Sequence, residues 1–197
     1  RKTRYKQSTR LLQKSSAIVM NLKYIILDRD GVINKDSSEY IKNANEFDPL
    51  PRSLEAIKIL SDNSFNIIII SNQSGIDRGF IKAYDFIQIN NKMIDLIEKA
   101  GGSIMAVLYC PSLPSSTNLN RKPNPGMFLN IAQRMNIDLS KCYSIGDSPR
   151  DIEASTLVNC RAIGVRTGNG KKIEANNIHN VPIFDDLYDA VNFVISH

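Results

Sequence analysis

No apolar run in the sequence approaches the roughly 18 to 20 residues that a membrane-crossing helix needs, and the polar N-terminus offers no signal-peptide core. Cysteine is scarce. Cys110, Cys142 and Cys160 form neither a CxxC pair nor an even-numbered framework, which excludes a disulfide scaffold and makes a reducing, cytoplasmic setting the expectation. Acidic residues are missing from residues 1–19, which carry Arg1, Lys2, Arg4, Lys6, Arg10 and Lys14. Those six account for the pI near 9.1: without them 19 basic residues face 20 acidic ones, a net of −1. The body therefore offers no electrostatic track, and no nucleic-acid partner is expected. Residues 1–19 read as a basic extension ahead of Met20, a candidate start. The extension is either an expression leader or upstream segment, or a transit peptide or docking arm. Residues 20–197 read as one domain, expected to work as a monomer.

What is present is β-α alternation. Strand-like runs occur at Tyr24–Asp28, Asn66–Ser71, Ile104–Tyr109, Cys142–Gly146 and Arg161–Val165, with a weaker one at Val181–Phe184. The unbroken Ile67-Ile68-Ile69-Ile70 fits a strand covered on both faces, as in a parallel sheet. Between strands, Phe86, Ile89, Met93, Leu96 and Ala100 keep helical spacing, as do Phe128, Ile131, Ala132 and Met135. Asn124-Pro125 and Ser148-Pro149 each predict a capping residue before a proline at the first helical position, and Gly101-Gly102 predicts a helix end. The fold class expected is α/β, a doubly wound, Rossmann-like and mostly parallel sheet with right-handed crossovers.

In such sheets ligands bind outside the carboxyl ends of the strands, and the polar residues gather there. The first strand ends in Asp28-Arg29-Asp30-Gly31, the second in Ser71-Asn72-Gln73, and the fourth in Gly146-Asp147-Ser148-Pro149-Arg150-Asp151. An irregular Pro/Ser/Asn-rich segment after the third delivers Arg121-Lys122. Mg2+ favours a few carboxylates plus water and phosphate oxygens, and Asp28 and Asp147 suit it. With charge neutralised, Asp28 can attack phosphorus to give an aspartyl-phosphate. Asp30 can protonate the leaving oxygen and later activate water. Ser71 and Lys122 would hold the equatorial oxygens. Singly, each residue has an ordinary reading as a turn, cap or solvated charge; the ordered set at four strand ends points to phosphoryl transfer.

Strand-end DxDG, Ser, Lys and GDxxxD in this order resemble the haloacid dehalogenase (HAD) superfamily of phosphohydrolases, from Leu22 to about Gly168. "DRDGVIN", "SNQSGIDRGF" and "RKPNPGM" resemble its D-glycero-D-manno-heptose 1,7-bisphosphate 7-phosphatase branch, which serves lipopolysaccharide and glycoprotein heptose synthesis. Histidinol-phosphate phosphatases share DRDG but usually place an acidic residue after the second-strand Asn-Gln, where this chain has Ser74-Gly75-Ile76. The resemblance implies a Mg2+-dependent phosphatase acting on a small phosphorylated sugar, with Asp28 as nucleophile and Asp30 as acid/base. It implies Mg2+ held by Asp28, the Asp30 carbonyl and Asp147, and a phosphoryl group contacted by Ser71, Asn72 and Lys122. Gln73, Arg78 and Arg121 fall on the substrate side, Arg78 toward a second phosphate. Asp151, grouped with them, orients Lys122 rather than binding metal. The cap is expected to be minimal, built from loops 34–50, 74–82 and 110–126.

The branch usually carries four zinc ligands, C-x-H-x5-C-x-C, before Arg-Lys. Here Cys110 is kept, but Ser112, Asn118 and Asn120 stand at the other places and His179 and His197 lie far downstream, so structural zinc is expected to be absent. Pro111 and Pro114 are expected to stiffen the loop instead. Competing readings are a phosphatase for histidinol phosphate or another small phosphomonoester, a non-catalytic phosphate-binding or receiver-like module, and a nucleic-acid 3′-phosphatase. Asp30 argues against a receiver, which has no leaving group to protonate, and the near-neutral body argues against a nucleic-acid substrate.

Overall fold

The computed structural model describes residues 22–175 and 180–197. The basic extension and His179 lie outside the described residues. Six strands form one parallel sheet: β1 (Lys23–Leu27), β2 (Phe65–Asn72), β3 (Ala106–Cys110), β4 (Tyr143–Gly146), β5 (Arg161–Val165) and β6 (Ile183–Phe184), in the spatial order β3-β2-β1-β4-β5-β6. This is the doubly wound order, with its switch point between β1 and β4. The helices are α1 (Ser53–Asp62), α2 (Ala83–Lys99), α3 (Gly126–Met135), α4 (Pro149–Thr156), α5 (Gly170–Ala175) and α6 (Leu187–Ser196). Among the described residues none is long and apolar enough to cross a membrane.

The period-two alternation of a strand decides which helix layer each side chain meets. Ile25, Leu27, Ile67 and Ile69 face the layer of α1, α2 and α6, against Ile57, Leu60, Ile89, Met93, Val191 and Val194. Ile26, Ile68 and Ile70 face the opposite layer, against Met127, Phe128 and Ile131 of α3 and Ala154 of α4. Each central strand is thus apolar on both faces, which accounts for the unbroken isoleucine run. Burying one such side chain contributes about 1.5–3 kcal/mol, so the four isoleucines of β2 supply much of the force that fixes the sheet.

Ser148-Pro149 caps α4 as expected: the Asp151 carboxylate at its third position accepts from the Ser148 backbone N–H at 3.1 Å and from the Ser148 hydroxyl. The other expected cap does not form. Helix α3 opens one residue later, at Gly126, and Pro125 sits at its boundary with no side-chain cap. Gly126 N–H bonds to the Leu119 carbonyl at 2.9 Å, so the turn uses Gly126, while Asn124 donates to the Asn118 carbonyl at 3.1 Å. Strand β3 runs Ala106–Cys110 rather than Ile104–Tyr109, because its register is set by Ile68↔Ala106 through Asn72↔Cys110. Strand β1 stops at Leu27, one residue short of Asp28.

Candidate active site

The switch point brings together residues far apart in sequence. Asp28 leaves β1 with its N–H on the Ile145 carbonyl of β4, 3.0 Å away, and so is held beside Asp147. One oxygen each of Asp28, Asp147 and Asp151 lies within 4.8 Å of the others, all three residues buried. Lys122, 3% exposed, sits among them, with Nζ 3.0 Å from Asp28 Oδ1 and 2.6 Å from Asp151 Oδ1, and donates to the Ile70 carbonyl at 2.7 Å. Asp151 therefore orients Lys122 from beneath and is not among the residues lining the cleft.

Charge decides what this cluster can hold. Three buried carboxylates face one ammonium. Unpaired buried charge costs several kcal/mol per ion, so the surplus must take up protons or a cation. Burial, then repulsion from Asp28 and Asp151, pushes Asp147 up to about 8. Asp28 rises to about 6 through burial, with Lys122 opposing and Asp151 and Asp30 adding to the shift. Burial is the largest single influence on Asp151 and Lys122 as well, but charges and hydrogen bonds together overcome it: Lys122, Ser148 and Arg150 hold Asp151 below the ordinary carboxylate value, and Asp151 and Asp28 hold Lys122 above the ordinary lysine value. Asp147 Oδ1 is buried with no hydrogen-bond or ion-pair partner. A divalent cation fits this donor set: it would cancel the surplus and satisfy that oxygen.

Above this floor lies a cleft of about 260 Å³. Its lining includes Asp28, Asp30, Ser71, Asn72, Gln73, Arg78 and Arg121, and its walls come from loops, as the minimal-cap expectation holds. Asn72 lines the cleft while its side chain clamps the Lys122 backbone in both directions, Nδ2 to the carbonyl at 2.9 Å and Oδ1 from the N–H at 3.1 Å. Gln73 is a bridge rather than a free contact: Nε2 donates to Asp30 Oδ2 at 2.7 Å and to Ser71 Oγ at 2.8 Å. Arg78 is exposed at the mouth. Arg121, 8% exposed, donates from NH1 to the Ser112 carbonyl at 2.6 Å. Burial, then Arg150 and Arg78, lower its proton affinity.

Several contributors were not singled out in the sequence. Arg29, 2% exposed, grips Asp30 through Nε and NH2 at 2.9–3.1 Å and reaches Gln73 Oε1 at 3.1 Å, while Asn34 Nδ2 adds a bond to Asp30 Oδ1 at 2.9 Å. Arg150 lines the cleft from inside the GDSPRD stretch, which was read for its acids and its Ser148-Pro149 cap but not for its arginine. The turn after β5 closes on the floor: Asn169 N–H donates to Asp147 Oδ2 at 2.7 Å, and Thr167 Oγ1 to the Gly31 carbonyl at 2.6 Å. Gly31 (φ +82) and Gly168 (φ +57) flank the same carboxylate, and a Cβ on either would sit 2.2 or 2.1 Å from Asp147 Oδ2. A glycine after DxD and a TGNG turn were the available signals.

The positions assigned by resemblance to zinc carry hydrogen bonds. Asn118 Nδ2 donates to Ser112 Oγ at 2.7 Å, Asn118 Oδ1 accepts from the Asn120 N–H at 2.9 Å, and Asn120 Oδ1 accepts from Asn130 Nδ2 at 2.8 Å.

The HAD-hydrolase-like family pattern matches residues 119–190. The D-glycero-beta-D-manno-heptose-1,7-bisphosphate 7-phosphatase of Pseudomonas aeruginosa is 38% identical over 169 residues, covering 85% of this chain and 95% of that protein. The chain belongs to this phosphatase family. The Neisseria meningitidis member is 35% identical over 178 residues, covering 88% of this chain and 95% of its own. The crystal structure of the Bordetella bronchiseptica D,D-heptose 1,7-bisphosphate phosphatase, complexed with magnesium and phosphate, superposes with a TM-score of 0.86 at 36% identity, covering 88% of this chain and 98% of that one. In the heptose bisphosphate phosphatase family, then, this chain combines the expected strand-end residues with an altered loop.

Proposed function

We propose that the protein is a Mg2+-dependent phosphohydrolase that removes the 7-phosphate of D-glycero-D-manno-heptose 1,7-bisphosphate. The observation that carries the reading is the buried meeting of Asp28, Asp147 and Lys122 at the β1/β4 switch point in a chain of this family. Asp28, Asp147 and the Asp30 carbonyl would hold Mg2+, which supplies charge neutralisation to the nucleophile and the transferring group. A carboxylate oxygen of Asp28 attacks phosphorus as the bond from phosphorus to the sugar oxygen breaks, and Asp30 gives its proton to that oxygen. Water then attacks the aspartyl-phosphate, Asp30 takes the water proton, and inorganic phosphate leaves with Asp28 restored. Ser71 and Lys122 hold equatorial oxygens, with Lys122 kept charged and in place by Asp151. Arg29 and Gln73 fix Asp30 beside the leaving oxygen.

The sugar end carries a second phosphate; of the four arginines lining the cleft, Arg29 is committed to Asp30, and Arg78, Arg121 and Arg150 are placed to receive it. A small anionic sugar suits a loop-walled cleft, the near-neutral body supports a function without a nucleic-acid partner, and three buried free thiols suit a cytoplasmic setting. Phosphate release from the heptose bisphosphate, histidinol phosphate and a plain sugar monophosphate, with and without Mg2+, tests the reading. The expected result is Mg2+-dependent release with the bisphosphate preferred by at least about tenfold in kcat/KM; equal rates on all three overturn it.

A further inference from the structure

Arg121 is buried at the cleft wall, which it shares with the guanidinium groups of Arg78 and Arg150. Burial first, then Arg150 and Arg78, lower its proton affinity. The hydrogen bond holding its guanidinium in place is the one from NH1 to the Ser112 carbonyl, 2.6 Å. Ser112 lies in the irregular stretch between β3 and α3, where no sheet or helix fixes a carbonyl. Something must hold Ser112.

We propose that Asn118, which does not line the cleft, is the positioning residue for Arg121. Its Nδ2 ties the Ser112 hydroxyl at 2.7 Å, and its own carbonyl accepts the Arg121 backbone N–H at 3.0 Å. One half-buried asparagine thus fixes both ends of the arginine: the backbone directly, the guanidinium through Ser112. Its Oδ1, accepting the Asn120 N–H at 2.9 Å, keeps the asparagine itself from turning, and Asn124 donates to its carbonyl at 3.1 Å. The inference rests on the reading that Arg121 meets the non-transferred phosphate, and it makes Asn118 a determinant of affinity for doubly phosphorylated substrates.

The test uses the full chain with Asn118→Ala, Ser112→Ala and the double variant. Kinetics are measured on the heptose bisphosphate and on p-nitrophenyl phosphate, which has no second phosphate. Asn118→Ala is expected to raise KM for the bisphosphate about tenfold, the cost of re-ordering one freed side chain on binding, with kcat within about twofold and both constants on p-nitrophenyl phosphate unchanged. Ser112→Ala removes the same tie from its other end, so the double variant should cost no more than either single one. In an enzyme that prefers the bisphosphate, fully additive effects, an unchanged KM, or a parallel loss of kcat on both substrates overturn the proposal. A second readout needs no substrate: the Arg121 Nε–Hε resonance, identified by its loss in Arg121→Lys, should shift and broaden in Asn118→Ala. An unmoved resonance overturns the proposal whatever the kinetics. A moved resonance in an enzyme with no preference for the bisphosphate supports it while the functional reading fails.

Discussion

At the floor of the cleft Lys122 is enclosed by Asp28, Asp151 and the Ile70 carbonyl at 2.6–3.0 Å, beneath strand ends packed between two helix layers. At the wall the guanidinium of Arg121, the next residue back, is held by one carbonyl of an irregular loop. The two neighbours in sequence live under different physics. The floor is over-determined: Lys122 has three partners on regular structure, Asp147 Oδ1 is left without one, and the surplus of carboxylates takes up protons or a cation. The wall is determined by a few local side-chain bonds, each worth about 0.5–1.5 kcal/mol, and can be retuned without disturbing the sheet. On the proposed function, chemistry sits where regular structure fixes the side chains, and substrate preference where a loop does.

The contrast can be broken most sharply at the floor. Asp28→Asn should remove turnover, by more than about 10⁴-fold, because a carboxamide is a poor nucleophile; circular dichroism should show the fold intact, and a variant retaining most activity would rule out the covalent step. Asp30→Asn should slow the reaction by about 10²–10⁴-fold, the usual reach of general acid–base help, with KM little changed.

A gentler test of the floor is its pH dependence without metal. Asp28 and Asp147 hold their protons up to about 6 and about 8 in the folded chain, whereas the unfolded chain releases them near the ordinary value of 3.8. Between those values the folded state binds more protons than the unfolded one, so stability falls as pH rises from about 4 to about 8. Asp151, shifted downward, acts below this window. Adding Mg2+ should raise Tm, and by more at pH 8 than at pH 6, because at pH 6 the cation must first displace a proton. A Tm gain that is the same at both values would contradict the charge account of the floor. The wall gives the smallest expected effect: elemental analysis of purified protein should find no stoichiometric zinc, since Ser112, Asn118 and Asn120 offer no thiolate or imidazole. One zinc per chain would show that loop to be held by metal after all.

The same division explains what could be read in the sequence. The isoleucine run of β2, the Ser148-Pro149 cap and the acids after β1 and β4 are signals whose physics is local: apolar continuity, a capping hydroxyl, carboxylates with no stabilising reason to be there. They located the sheet and the floor. Arg29 was illegible because a basic residue between two acids looks like a solvated turn, and only the fold shows it 2% exposed and gripping Asp30. Asn169 and Thr167 were illegible because their partners, Asp147 and Gly31, lie 22 and 136 residues away along the chain. The bonds from Gln73 to Asp30 and Ser71 were illegible because a strand-end amide can face either way, and the residue lines the cleft as well. The start of β3 was misplaced for a related reason, since pairing with β2 rather than the apolar pattern sets its first residue.

The order β3-β2-β1-β4-β5-β6 also has a temporal side. A chain emerging from the ribosome reaches Asp28 just after the first strand, yet Asp147, the second carboxylate of the proposed cation seat, and the turn that bonds it come only after β4 and β5. Fragments released early therefore carry the reactive aspartate in a setting unable to use it. Competence waits for the turn after β5 to be made and to dock on Asp147.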